Sequence, residues 1–264
     1  MAANRPIVLL TDFGTRDAYV ASMKGVIATV NPGACVTDLT HEIGPQNVKQ
    51  ASFVLEAAYR YFPQGSIFVS VVDPGVGSER RILAVRSKRG IFLAPDNGLL
   101  TRVLEREAAE TRIVNNRKFF LDQVSATFHG RDCFAPTAAR LAKNPGLFSR
   151  LGPLTRHVKR LSIPMARVRA GRLEGEIIYF DHFGNAFANI SRSDLECLKS
   201  GKKIQVRVRG RNIGPVQKSY FEAAKGKPVA VISSTGVLEI AVNQGSARQD
   251  LKLKERDKVE AVTT

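Results

Sequence analysis

Apolar positions in the first two thirds of the chain switch repeatedly between two periods. Residues 7–10 (Ile-Val-Leu-Leu) form a short unbroken apolar run, the mark of a strand covered on both faces. Val20, Met23, Ile27 and Val30 then recur at helical spacing, a Pro32-Gly33 turn follows, and residues 36–39 return to an extended pattern. A longer helical pattern over 48–61 stops at Pro63-Gln64-Gly65, strands are predicted at 67–72, 83–85 and 91–93, and a helix at 134–142. Strands alternating with helices imply a doubly wound, mostly parallel sheet.

Beyond Pro153 the pattern changes. Short β-like runs at 175–180, 204–208, 229–232, 237–242 and 258–262 are separated by glycines, which suits a β-barrel better than further βα units. The expected fold is therefore α/β, organised as an N-terminal α/β domain over 1–155, a polar linker over 156–170 and a smaller, all-β barrel domain over 171–264.

Composition narrows the class of protein. With 264 residues, 44% apolar, the chain is long enough to bury a core, and disorder is excluded as its general state. No apolar run reaches the ~18 residues of a membrane span, and residues 7–10 are too short for a signal core, so a soluble cytoplasmic protein is expected. Three widely spaced cysteines with no CxxC pair suggest reduced thiols rather than a disulfide framework or zinc knuckle. The formal charge of +16 raises the question of nucleic acid. Around residues 203–211, Lys203, Gln205, Arg207, Arg209 and Arg211 alternate with Ile204, Val206 and Val208, so a strand here shows one apolar and one cationic face. A solvated barrel face fits that pattern, as does a surface for RNA or for an acidic partner surface.

Three predicted strands end alike, in Leu10-Thr11-Asp12, Val72-Asp73-Pro74 and Ala94-Pro95-Asp96. Ligands of open parallel sheets bind beyond the carboxyl ends of the strands, so these carboxylates are expected around one crevice. The glycine-containing loop 73–80 lacks the Lys-Ser/Thr ending of a phosphate loop, and no three-glycine dinucleotide fingerprint occurs. His129 sits in the polar turn Thr127-Phe128-His129-Gly130-Arg131-Asp132, just before a predicted helix. Asp and His together also admit a metallohydrolase, although neither HExxH nor paired helical histidines occur. In the C-terminal part, Asp181-His182-Phe183-Gly184-Asn185 and Ser233-Ser234-Thr235-Gly236 offer polar groups and an aromatic for a ligand, or simply tight turns.

Taken in order, Thr11-Asp12-Phe13-Gly14, residues 72–77, Pro95-Asp96-Asn97-Gly98-Leu99-Leu100, residues 127–132 and Phe183-Gly184-Asn185 resemble the S-adenosylmethionine hydroxide adenosyltransferase family, relatives of the fluorinase and chlorinase enzymes. The resemblance runs from about Pro6 to Leu251. It implies an N-terminal α/β domain, a C-terminal β-barrel, and a homotrimer with active sites between subunits. It also implies hydrolysis of S-adenosyl-L-methionine (SAM) to adenosine and methionine, with SAM as substrate and no cofactor or metal.

By matched positions, Asp73, Arg80 and His129 are the family's catalytic triad. Asp12 is expected at the ribose hydroxyls, Phe128 beside the catalytic imidazole, Asp181 at the methionine ammonium, Ser234 at its carboxylate, and Phe183 with Asn185 at the adenine. Gly130 is expected to leave room near the nucleophile. Two positions depart from the halogenase relatives, Gln46 in place of a Trp and Thr235 in place of an Arg, so that part of the pocket is not carried over.

The chemistry of the triad follows from its residue types. A sulfonium is already a good leaving group, so the site must chiefly orient an oxygen nucleophile in line with the C5′–S bond and handle its proton. Asp73 or His129 can accept that proton, while Arg80 stays charged and can hold its neighbours. A carboxylate at Asp73 would repel a halide. The alternatives are a SAM-dependent halogenase and a basic nucleic-acid-binding protein retaining an adenosine pocket.

Overall fold

The computed structural model describes residues 5–169, 171–198 and 203–263. It divides into two compact units, Met1–Leu161 and Ser162–Thr264. In the first, strands β1 (Ile7–Thr11), β2 (Val36–Thr40), β3 (Ser66–Val71), β4 (Ile82–Arg86), β5 (Gly90–Pro95) and β6 (Glu110–Ile113) form a sheet of order β2-β1-β3-β5-β4-β6. The helices are α1 (Tyr19–Val30), α2 (Val48–Ala58), α3 (Thr101–Arg106) and α4 (Ala135–Lys143).

Residue alternation along β1 explains the two layers. Ile7 and Leu9 point into a core with Met23 and Ile27 of α1 and Ala138 and Leu141 of α4. Val8 and Leu10 point the other way, against Ala51 and Leu55 of α2 and Val103 of α3. Both faces are thus covered, which is why this strand reads as an unbroken apolar run. Each fully buried Leu or Ile contributes ~1.5–3 kcal/mol.

β2, β1, β3 and β5 are mutually parallel, but β4 pairs antiparallel with both β5 and β6, so the sheet is mixed with a parallel centre. Only Ser87, Lys88 and Arg89 separate β4 from β5. A link that short closes a hairpin and cannot make the crossover that parallel strands need. α3 and β6 carried too weak a period to stand out in the sequence.

The second unit contains β7 (Arg167–Arg169), β8 (Arg172–Phe180), β9 (Ala186–Ser191), α5 (Arg192–Leu198), β10 (Ile204–Val208), β11 (Arg211–Gln217), β12 (Pro228–Ile232), β13 (Val237–Val242), α6 (Ala247–Asp250) and β14 (Lys258–Thr263). The order β14-β10-β11-β12-β13-β9-β8 closes through a β14–β8 pairing into a seven-stranded barrel, with β7 attached outside on β8. Its core includes Leu173, Ile177, Ala188, Val206, Leu238, Ile240 and Val259. The alternation read in 204–208 holds: Ile204, Val206 and Val208 are buried and Arg207 is exposed. β11 escaped the sequence reading because Gly214-Pro215 lies within it. Gly214 adopts φ +117° beside a register shift in the β10–β11 ladder, a bulge that lets proline into a strand.

Candidate active site

Because β1, β3 and β5 are adjacent and parallel, their carboxyl ends share one edge of the sheet. Asp12 follows β1, Asp73 lies two residues past β3, and Asp96 follows β5. The three carboxylates do not share one task. Asp96 is 2% exposed, receives Arg81 Nε at 2.9 Å on Oδ2 and the Lys159 backbone N–H at 2.8 Å on Oδ1. It is committed to holding segments of its own unit together, a correction to the expectation of three acids around one crevice.

Asp73 and Arg80 meet because the loop between them folds on itself. Ser78 Oγ donates to the Gly75 carbonyl at 2.7 Å and accepts the Arg80 N–H at 3.2 Å, which turns the arginine back toward Asp73. Gly77 sits at φ +80°, and a Cβ there would lie 2.4 Å from the Ala126 carbonyl oxygen. Glycine is therefore what lets this loop press on the segment carrying His129.

That segment is a tight turn leading into α4 through a π-helical turn over Gly130–Phe134, a widening that often accompanies functional positions. Asp132, fully buried, accepts the Ser125 N–H at 2.8 Å and Arg131 Nε at 2.6 Å. Phe128 packs edge-on against Tyr19 (5.2 Å between centroids) and Phe13 (5.9 Å). A Cβ on Gly130 would meet Met23 Sδ and the Phe13 and Phe128 rings at 3.3 Å. Its small size lets the turn pack closely against these side chains.

The result is a linked triad. Arg80 Nε donates to Asp73 Oδ2 at 2.8 Å, Arg80 Nη2 lies 2.5 Å from the same oxygen, and Nη2 also donates to His129 Nδ1 at 2.6 Å. The Asp73 and Arg80 side chains are only 4% and 6% exposed. Since guanidinium can only donate, His129 Nδ1 must be the acceptor and the ring proton sits on Nε2. Burial pushes the His129 pKa below its ordinary value, the Arg80 charge adds to that, and Asp73 and Asp132 oppose it. The imidazole is neutral at neutral pH. Asp73 Oδ1, by contrast, is buried with no hydrogen-bond partner among the described residues. An orphaned carboxylate oxygen costs about 1–3 kcal/mol or more, which an incoming O–H donor would relieve.

Asp12 Oδ2 accepts the Gln46 backbone N–H at 2.8 Å, and Gln46 holds φ +63° to present it. Such backbone strain, ~1–3 kcal/mol, concentrates at functional sites. This contact is invisible in the sequence, because Gln gives no hint of a left-handed conformation.

The remaining candidates lie in the barrel unit. Asp181 and Asn185 close the β8–β9 turn on each other: the Asn185 N–H donates to Asp181 Oδ1 at 2.8 Å and its side-chain amide to Oδ2 at 3.1 Å. Phe183, between them, is 73% exposed. Ser234 is exposed at the β12–β13 turn, where Ser233 and Thr235 hydroxyls bond at 2.8 Å.

Residues 7–152 match the SAM hydroxide adenosyltransferase N-terminal domain, and residues 175–260 match its C-terminal domain. The chain is 39% identical to a Thermus thermophilus protein named (R)-S-adenosyl-L-methionine hydrolase, covering 95% of this chain and 97% of that one. It is 30% identical to a fluorinase from Actinoplanes sp., covering 95% of each. A crystal structure of a conserved protein from Thermotoga maritima superposes with a TM-score of 0.90 at 38% identity, covering 97% of this chain and 99% of that one. The chain belongs to the SAM hydroxide adenosyltransferase family.

Proposed function

We propose that this protein hydrolyses SAM to adenosine and L-methionine by in-line attack of water on the ribose C5′. The observation that carries this reading is the buried, unpartnered Oδ1 of Asp73, held in place because Arg80 occupies the other oxygen. A water donating to Oδ1 is oriented by it, and as the O–C5′ bond forms the water proton passes to that carboxylate. The C5′–S electron pair leaves with sulfur, which turns the sulfonium into the neutral thioether of methionine. Arg80 keeps its charge throughout. His129 serves as an orienting group, since its Nδ1 lone pair is engaged by Arg80 and its Nε2 bears a proton to donate. Between the two residues able to receive the proton, the geometry favours Asp73.

Asp12 is assigned to the ribose hydroxyls and Phe128 to the substrate pocket beside the catalytic imidazole. We assign Asp181 to the methionine ammonium, Ser234 to its carboxylate, and Phe183 and Asn185 to the adenine, supplied to the N-terminal cluster of a neighbouring subunit in a homotrimer. The outward projection of Phe183 from a turn braced by Asp181 and Asn185 supports that assignment. The reaction needs no metal or cofactor: the Arg80 guanidinium already neutralises Asp73, and its charge opposes a cation there. The exposed free thiols of Cys35 and Cys197 suit the reducing cytoplasm. The curated relatives' name specifies the R configuration at sulfur, and we assign the same epimer to this chain.

Turnover in 18O-labelled water, with each SAM epimer supplied separately and chloride present, tests the reading. Adenosine carrying 18O at its 5′ oxygen, with one methionine per adenosine, is the expected result. Formation of 5′-chloro-5′-deoxyadenosine, or no adenosine from either epimer, would overturn it.

A further inference from the structure

Two charged residues beside His129 have no part in the chemistry above, yet one of them is a fully buried carboxylate. Asp132 has no exposure at all, while its partner Arg131 is 38% exposed. Arg131 Nε donates to Oδ1 at 2.6 Å and Nη2 to Oδ2 at 3.0 Å, a two-pronged grip on both oxygens. Oδ2 also accepts the Ser125 N–H at 2.8 Å, which ties the start of the turn to its end across His129. The Arg131 guanidinium lies 5.0 Å from the centre of the Phe128 ring, so the same side chain also braces the residue before the imidazole.

An anion so close to an imidazole that must stay neutral has two opposing effects. It anchors the turn, and it favours a proton on the ring. We propose that Arg131 and Asp132 form a positioning pair for His129, in which Asp132 fastens the turn and Arg131 screens its charge so that the imidazole stays neutral while held against Arg80. The proposal rests on the reading of His129 as the neutral orienting member of the triad. The charged groups facing the ring are Arg80 and Asp73 from the loop after β3 and Asp132 from its own turn, with Arg131 as the counter-charge.

The pair predicts opposite responses from two substitutions that a simple loss of structure would not separate. In D132N the anion is gone, so His129 should titrate at lower pH. The amide oxygen can keep Ser125 and Arg131 Nη2, but its NH2 then faces Arg131 Nε donor to donor and the two-pronged grip is lost, so kcat should fall about tenfold to hundredfold while KM stays within about twofold. In R131Q the anion is unscreened, so His129 should titrate at higher pH and the acid limb of the rate profile should move up with it. NMR titration of the His129 ring in the wild-type protein and both variants measures this without substrate, and melting curves confirm that each variant is folded. Shifts of opposite sign support the pair. Shifts of the same sign, no shift in either variant, or a rise in KM with kcat unchanged would overturn it. Opposite ring shifts in a protein that releases no adenosine from SAM would sustain the pair and refute the proposed reaction instead. R131Q changes a partly exposed side chain and keeps an amide donor, so it remains informative if D132N fails to fold.

Discussion

Replacing Asp73 with Asn isolates the proposed proton acceptor with little change in shape. The amide can still accept a hydrogen bond from Arg80, but it can take no proton, and its NH2 group, a donor only, cannot replace the carboxylate oxygen that has no partner in the wild-type protein. Loss of a positioned general base costs ~10²- to 10⁴-fold in rate, which at about 1.36 kcal/mol per tenfold is roughly 3–5 kcal/mol of transition-state stabilisation. Stability should fall as well, because Arg80, 6% exposed, loses the anion that compensates it. Breaking a buried pair from one side costs ~3–5 kcal/mol, and the remaining Arg80–His129 hydrogen bond places this case at the lower end. Rapid-quench single-turnover measurement of adenosine, well below the variant's own melting temperature, separates the two effects. KM should change little, since the proton moves only as C5′ is attacked. A D73N protein whose single-turnover rate stays within about threefold of wild type would refute the assignment of Asp73.

Four further outcomes concern His129 and two glycines of positive φ. The His129 pKa is depressed from its ordinary 6.5, by burial first and Arg80 second, so the acid limb of kcat/KM assigned to this ring should lie below pH 6.5. A depressed folded-state value means that the neutral ring stabilises the native state above about pH 6.5 and that this contribution is lost as the pH falls through the folded value, which melting curves across the acid range will show. An acid limb above 6.5 would contradict a neutral orienting imidazole. Gly77→Ala combines a strained φ of +80° with a clash on the Ala126 carbonyl, and should lower both stability, by about 1–3 kcal/mol, and turnover. Gly210→Ala, at φ +77° with open space around its Cβ, should cost ~1 kcal/mol and leave turnover intact, which makes it the control for strain alone.

Much of this protein was legible in one dimension. Strands with two buried faces cannot alternate, so β1 and β3 announced themselves as apolar runs, and the helical spacing of Val20, Met23 and Ile27 marked α1, because burial imposes the period of the element on its residues. The change to glycine-punctuated strands marked the barrel for the same reason. The acids after β1, β3 and β5, together with the His-Gly-Arg-Asp turn, singled out one edge of the sheet as the candidate site.

What the sequence could not decide was which of those acids are fully held by protein partners and which way each hydrogen bond runs. Asp96 and Asp73 read alike, yet Arg81 and the Lys159 backbone occupy one while the other keeps a bare oxygen. The neutral state of His129, the strained Gln46 contact to Asp12 and the anchoring of the turn by Asp132 likewise exist only once distant segments are packed. Periodicity reports how much of a side chain is hidden from water, a property averaged along an element. Direction, partner and charge state depend on single atoms brought together across long loops, and only the folded chain sets those distances.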